Sequence, residues 1–338
     1  MFENQSILII GGTGTIGRQI CKFILSYNPK VVRILSRDEF KQFELEQELA
    51  EYNSKLRFLI GDVRDVSRLN RAMNDIDIVF DLAAMKHVPA CEYNPFEAVR
   101  TNVIGTENVI NTAMANNVKK VVFTSTDKAI GPTNVMGATK LLAERLIISA
   151  NFTQGMGGTM FSVVRFGNVM GSRGSVIPFF RKQILKDRKV SITVPEMTRY
   201  MMSISQAAEL TIKAAELATG GEVFVLKMPT IKLIDLVDVV IERICREENI
   251  NPKDIMKEVI GLRAGEKMYE ELMTEEESQR AFELDEMYVI KPELFLSQDL
   301  EKAEQQDAMI NVISSMSETV LTKSEIHTFL DENYFESR

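Results

Sequence analysis

Asp127 and Lys128 stand side by side in Thr124-Ser125-Thr126-Asp127-Lys128, a carboxyl group next to an amine. The two can work as an acid–base pair if their surroundings raise one pKa and lower the other. A buried Lys128 is expected to have a depressed pKa, because burial disfavours the charged ammonium. A second lysine, Lys140, closes Met136-Gly137-Ala138-Thr139-Lys140 at the start of an apolar stretch. Near the N-terminus, Gly11-Gly12-Thr13-Gly14-Thr15-Ile16-Gly17 places glycines at 11, 14 and 17. They permit a tight turn and close backbone approach, so that a pyrophosphate can rest on the N–H groups of a helix start. With two histidines and three scattered cysteines, Cys21, Cys91 and Cys245, neither a metal site nor a disulfide framework is expected.

Elements must hold these residues in place. Short β-branched runs at Ser6–Ile10, Val31–Leu35, Leu56–Ile60, Asp77–Leu82, Lys120–Ser125 and Ser162–Phe166 alternate with segments whose apolar residues recur at helical spacing. Parallel strands need crossover connections, so the alternation predicts an α/β fold, a Rossmann-type doubly wound parallel sheet over residues 1–166. The glycine turn follows the first strand and opens a helix through Ile16, Ile20, Phe23 and Ile24, the context such a turn requires. Asp127 and Lys128 follow the fifth strand, and ligands of open parallel sheets bind beyond the carboxyl ends of the strands.

From Gly167 onward the pattern loosens. Loops are expected at Gly167–Pro178 and Pro195–Met202, a strand at Glu222–Leu226, and helices at Leu233–Glu248 and Lys267–Met273. The methionines of Met197–Met202 are read as loop packing. Residues 167–338 are read mainly as a smaller C-terminal substrate-binding domain, with some segments returning to the first domain, followed by an acidic helical tail. Thr322-Lys323-Ser324-Glu325 has the form of a capping box ahead of Ile326–Leu330.

The 338 residues are 45% hydrophobic and 26% charged, as in an ordinary soluble globular chain. Forty Lys and Arg against 48 Asp and Glu give a net charge of −8, which argues against nucleic acid or an anionic membrane as partner. Residues 271–338 hold 17 acidic and 5 basic side chains, so the acidity belongs to the tail and residues 1–270 are slightly basic. No apolar run nears the roughly 20 residues of a membrane span, and Met1-Phe2-Glu3-Asn4-Gln5 lacks the form of a signal peptide. A cytoplasmic protein with no membrane span is expected.

The second strand ends in Ser36-Arg37-Asp38, about twenty residues after Gly17. There a carboxylate accepts a ribose hydroxyl of NAD, or an arginine pairs with the 2′-phosphate of NADP. Arg37 comes first, which favours NADP; Asp38 leaves NAD open. Asp62, in Gly61-Asp62-Val63 after the third strand, is placed for an adenine contact or for a helix N-cap. Together with Gly11, Thr13, Gly14, Thr15, Ile16, Gly17, Ser36, Val63, Lys140 and Ala83 after the fourth strand, these residues make the expected dinucleotide site.

The chain resembles the extended short-chain dehydrogenase/reductases and, among them, the UDP-N-acetylglucosamine 4,6-dehydratases of bacterial glycan biosynthesis. The resemblance runs through Gly11–Gly17, Ser36–Gln42, Ala83–Pro89, Glu92–Pro95, Thr101–Val103, Thr126–Lys140, Arg165–Pro178 and Gly261–Lys267. One position departs: the tyrosine that the superfamily places four residues before the helix lysine is Met136, and a thioether cannot exchange a proton. Methionine at this place resembles a branch of the dehydratases with membrane-anchored members, which points to retention of configuration at C5, with a C5-inverting dehydratase as the alternative.

The resemblance implies a sugar oxidised at C4, stripped of water across C5 and C6, and given back its hydride at C6. It makes Lys128 the C5 base, Asp127 the acid that protonates the C6 oxygen, Thr126 a donor to the C4 oxygen, and Lys140 the residue that holds the nicotinamide ribose. The group that takes the C4 hydroxyl proton in the absence of tyrosine stays open among Lys128, a water and Thr126. Asn168, Arg199, Arg263 and Glu266 are implied for the uridine and phosphates, Glu266 taking a ribose hydroxyl. Lys86 and His87 fall near the sugar, His87 being equally suited to a structural hydrogen bond. The superfamily commonly pairs through helices flanking the active-site strand, here Asn102–Asn116 and Gly137–Ala150, so a homo-oligomer is expected. Two other readings are a C4 epimerase, which has no use for an elimination pair, and a catalytically silent NADP-binding sensor, for which Met136 speaks.

Overall fold

Strand β1 (Ser6–Ile10) is buried at every position, which a strand sustains in a sheet covered on both faces. The computed structural model, which describes residues 1–154, 157–172, 174–292, 313–316 and 318–335, contains that sheet. β1 pairs in parallel with β2 (Val31–Ser36) and β4 (Ile78–Asp81). β3 (Leu56–Ile60) extends the sheet beyond β2, and β5 (Lys120–Thr126) and β6 (Met160–Phe166) extend it beyond β4. Strand order therefore reverses between β1 and β4, which opens a crevice at their carboxyl ends. β10 (Val223–Leu226) adds in parallel to β6, and the antiparallel β14 (Met287–Ile290) and β13 (Ala281–Glu283) finish that edge, giving nine strands.

Helix α1 (Thr15–Ser26) packs on α9 (Ile204–Leu217), while α3 (Val66–Met73), α6 (Gly105–Ala115) and α7 (Val135–Ala150) pack in sequence on one another. α2 (Glu39–Glu48) follows β2, and α4 (Val88–Tyr93) and α5 (Pro95–Val99) follow β4. A second core forms around Ile177, Phe180, Ile184, Val237, Val240 and Ile244, between α8 (Val176–Asp187) and α10 (Leu233–Glu247). It is covered by two small sheets, one of β7 (Asn168–Val169), β9 (Thr198–Met202) and β11 (Thr230–Lys232), the other of β8 (Lys189–Ile192) and β12 (Met256–Val259).

Three expectations need correction. Thr198–Met202 is a strand, not a loop: its backbone pairs with β7 and β11, and Tyr200, Met201 and Met202 are buried there. Within Gly167–Pro178, β7 and the first turn of α8 are regular. Lys267–Met273 is not a helix, because its backbone groups bond to distant chain: Met268 and Glu270 carbonyls accept from Thr198 and Ser315, and the Leu272 N–H donates to Ile313. The capping box is present, with the Thr322 N–H donating to Glu325 Oε2 at 2.8 Å at the head of the helix Lys323–Leu330. Much of the acidic tail, residues 293–312, lies outside the described residues.

Candidate active site

The glycine turn joins β1 to α1 at the crevice. A Cβ on Gly17 would stand 2.7 Å from the Gly12 Cα, so the helix meets the turn at a distance that a side chain would forbid. Gly14, the N-cap of α1, brings no side-chain acceptor to the helix start. Thr13 is buried, Ile16 packs on the main core, and Ala83 lies beside Gly11 with its N–H bonded to Asp81 Oδ1 at 3.2 Å. These features suit an anion held by backbone N–H groups.

At the end of β2, Ser36 accepts from Gln42 Nε2 at 3.1 Å. Asp38 caps α2 by accepting from the Lys41 N–H and also pairs with the Lys41 ammonium. Arg37, 61% exposed, reaches Asp62 at 3.7 Å. Of the two roles open to Asp62, the helix cap falls to Asp65, which accepts from the Arg68 N–H. Asp62 instead binds Arg64; burial works against its charge, but Arg64 and Arg37 hold its carboxyl below the usual range. Val63 is buried and its carbonyl accepts from Asn108.

The end of β5 carries the cluster with the richest chemistry. Asp127 is 1% exposed; its Oδ1 accepts from Thr126 Oγ1 at 2.8 Å and from Lys128 Nζ at 3.0 Å. Its Oδ2 is buried next to Gly167 without a hydrogen-bond partner among the described residues. Lys128 keeps 24% of its side chain open and makes a second ion pair, with Glu270 Oε1 at 3.2 Å. Arg199 Nε stands 3.6 Å from the same Glu270 oxygen. The expectation of a depressed Lys128 pKa is overturned: burial does oppose the ammonium, but the carboxylates of Asp127 and Glu270 outweigh it, and the pKa lies above the ordinary lysine value.

Helix α7 is seated against this cluster by its first turn. Asn134 caps it, Glu92 Oε1 accepts from the Val135 N–H at 2.6 Å, and Gly137 touches the Lys128 backbone. A Cβ on Gly137 would come within 2.2 Å of the Lys128 carbonyl oxygen. We expect Gly137→Ala to push α7 away, lowering stability by about 1–3 kcal/mol in urea melts and lowering turnover by more than that loss of folded protein explains. Met136 is buried in an apolar cluster with Cys91 and Ala98. Lys140 is buried, donates to the Thr124 carbonyl at 2.6 Å and lies 3.8 Å over the Phe123 ring. Burial, against the pull of Asp81 and Glu144, brings its pKa down to about 8. Burial likewise raises Asp81 to about 6, against Lys140.

The residues expected to hold the substrate divide into two sets. Arg199 joins the cluster, and its guanidinium also donates to the Thr198 and Lys267 carbonyls. Asn168, on β7, donates to the Tyr200 carbonyl at 3.1 Å. Arg263 is exposed and Glu266 half-buried; Glu266 Oε2 accepts from the Arg263 N–H, and the neighbouring Gly265 carbonyl is tied to Thr133 and Asn134 at the start of α7. Lys86 and His87 are exposed at the start of α4, with the His87 ring against Gly174; partial burial and Lys86 hold its pKa below the ordinary histidine value.

Sequence reasoning does not reach two groups. Glu270 lies three residues past the last motif, and the adjacent acids Glu270 and Glu271 were its one local signal. The other group is an ion triad: Arg165, fully buried, meets Glu144 at 2.7 Å, Glu277 at 2.9 Å and the Leu272 carbonyl at 3.0 Å.

Among curated proteins, the chain is 54% identical over 291 residues to an uncharacterized membrane protein of Methanocaldococcus jannaschii, covering 86% of this chain and 87% of the other. It is 41% identical over 323 residues to a UDP-N-acetylglucosamine 4,6-dehydratase (inverting) of Campylobacter jejuni, covering 95% and 91%. A UDP-glucose 4-epimerase of Rickettsia felis is 41% identical over 294 residues, covering 86% and 84%. Among solved structures, Pen from Bacillus thuringiensis superimposes with a TM-score of 0.92 at 49% identity, covering 98% of each chain. The family model described as polysaccharide biosynthesis protein matches residues 7–292. The chain thus belongs to the polysaccharide biosynthesis protein family, and it is an enzyme built on the extended short-chain dehydrogenase/reductase fold.

Proposed function

We propose that this enzyme is a UDP-N-acetylglucosamine 4,6-dehydratase yielding the UDP-4-keto-6-deoxy sugar. The observation that carries the reading is Lys128 Nζ, 3.0 Å from a buried Asp127 whose other oxygen has no partner among the described residues, at the carboxyl end of β5. Elimination of water needs a base and an acid together. One proton moving from Lys128 to Asp127 makes both at once: a neutral amine facing C5 and a carboxylic acid facing the C6 oxygen. This answers the raised Lys128 pKa, because the proton leaves for an adjacent carboxylate and not for solvent. Epimerisation at C4 gives the pair nothing to do, although the Rickettsia relative bears that name. The Campylobacter relative's name supports the sugar.

A dinucleotide bound at the glycine turn supplies a nicotinamide that accepts and donates a hydride. Arg37, next after β2, favours NADP, since Asp38 is engaged in capping α2. We take configuration at C5 to be retained, with Lys128 both removing and returning the proton on one face, against the inverting outcome in the Campylobacter relative's name. Tyr93 and Phe96, 88% and 80% exposed on α4 and α5, give an apolar face suited to a homo-oligomer.

Incubation with UDP-N-acetylglucosamine in D2O tests the reading. The expected product is a 6-deoxy-4-keto sugar with deuterium at C5 in the original configuration, seen by NMR. A C5-inverted product refutes the stereochemical part, an epimer with its C6 hydroxyl favours the epimerase, and unchanged substrate refutes all of it. Nucleotide released from the same protein by heat should carry the 2′-phosphate by mass; NAD alone would overturn that assignment.

A further inference from the structure

The reaction proposed above leaves one proton without a holder. Oxidation at C4 releases the hydroxyl proton, and a proton is needed back at C5 only after water has left. In between, Lys128 and Asp127 are both occupied with elimination. The phenol that would keep such a proton is replaced by Met136, a thioether packed among Cys91 and Ala98.

We propose that Glu270 holds this proton from the first step to the last, exchanging it with Lys128 across their 3.2 Å contact. The inference rests on the dehydratase reading. Glu270 acts through Lys128, as a positioning and proton-holding residue that does not touch the sugar. It is 3% exposed. Its backbone is fixed by Ser315, whose Oγ accepts from the Glu270 N–H at 2.9 Å and lies 2.9 Å from Thr198 Oγ1 on β9. The charged groups facing its carboxylate are Asp127, Lys128 and Arg199. Burial and the Asp127 charge push its pKa above the ordinary glutamate value while Lys128 and Arg199 pull the other way, a balance that suits a group which takes a proton and gives it back.

The proton count closes. Lys128 starts as an ammonium and passes a proton to Asp127, the nitrogen keeping the electron pair. The amine takes the C4 hydroxyl proton and hands it to Glu270, forming an O–H bond there and freeing the nitrogen again. It then takes the C5 proton, while Asp127 protonates the departing C6 hydroxyl and water leaves. Lys128 returns its proton to C5 as hydride arrives at C6, and Glu270 reprotonates Lys128. Each group ends in the protonation state it began with, and the deuterium expected at C5 in D2O enters through the Lys128 N–H positions, which exchange with solvent between turnovers.

Glu270→Gln, which keeps shape and removes proton capacity, tests this. Turnover near neutral pH should fall by at least ~10²-fold, and a 4-keto UDP-sugar still bearing its C6 hydroxyl should accumulate in quenched reactions. The rate of the variant should climb with pH, about tenfold per unit, because the stranded proton must now leave to water, while the wild-type profile stays flat over the same range. Glu270→Asp keeps a carboxylate on a shorter stem and should retain the flat profile at reduced kcat; it carries the test should the glutamine variant fail to fold. A Glu270→Gln enzyme with wild-type rate and pH profile overturns the proposal while the dehydratase reading stands. A wild-type enzyme that makes no 4-keto-6-deoxy product overturns both.

Discussion

Lys128→Ala is expected to lower kcat on UDP-N-acetylglucosamine by at least ~10²-fold, the usual worth of a positioned acid or base, and as much as ~10⁴-fold. Asp127→Asn should do nearly the same. The effects should not add, since each substitution removes one end of the same proton transfer across 3.0 Å. The nucleotide-binding residues are not touched, so KM should change far less than kcat. Were the two an ordinary surface ion pair, the substitutions would cost about 1 kcal/mol or less in stability and leave turnover intact. The burial of Asp127 and the third charge of Glu270 argue for the larger outcome. Steady-state assay of the 4-keto product, beside circular dichroism to show that each variant is folded, decides it.

Arg165→Met should be the most destabilising single change, by about 3–5 kcal/mol in urea melts, because it strands the Glu144 and Glu277 carboxylates without their cation. Adding Glu144→Leu and Glu277→Gln should recover most of that loss, since an uncharged replacement of a buried ion cluster leaves no charge unpaired. A triple variant as unstable as the single one would show that packing, not charge, is what Arg165 provides. The triad also sets an acid limit. Burial raises the Glu277 pKa, but Arg165 and the Thr274 N–H outweigh it and hold the carboxyl below the usual range. A carboxyl depressed on folding adds stability above its unfolded pKa, about 4.3, and that contribution fades as pH falls through the lower folded value. Acid unfolding of Glu277→Gln should lack that part of the pH dependence.

The parts of this molecule legible in the sequence are those whose signal is local. β1 to β6 show as β-branched runs, the phosphate turn as glycines at fixed offsets, and the Asp127-Lys128 pair as neighbours at a strand end. Glu270 acts on Lys128 across 142 positions of chain, and no periodicity links them. The stretch around it even has helical spacing in Met268 and Leu272, yet its backbone groups are claimed by Thr198, Ile313 and Ser315, and tertiary hydrogen bonds win over local propensity. The Lys128 pKa is illegible in the local sequence for the same reason: one of the two carboxylates that raise it comes from this distant segment.

That segment gives the order of synthesis a consequence. Glu270, Leu272 and Glu277 leave the ribosome long after β5 and α7, which they complete. A nascent chain that has already built its nucleotide crevice still has an ammonium with a single carboxylate beside it and an arginine with Glu144 but not yet Glu277. On the proposed reaction, chemical competence therefore arrives only once residues 270–277 have been made, and a chain stopped before them that captures the dinucleotide is left without the means to commit a sugar to reaction.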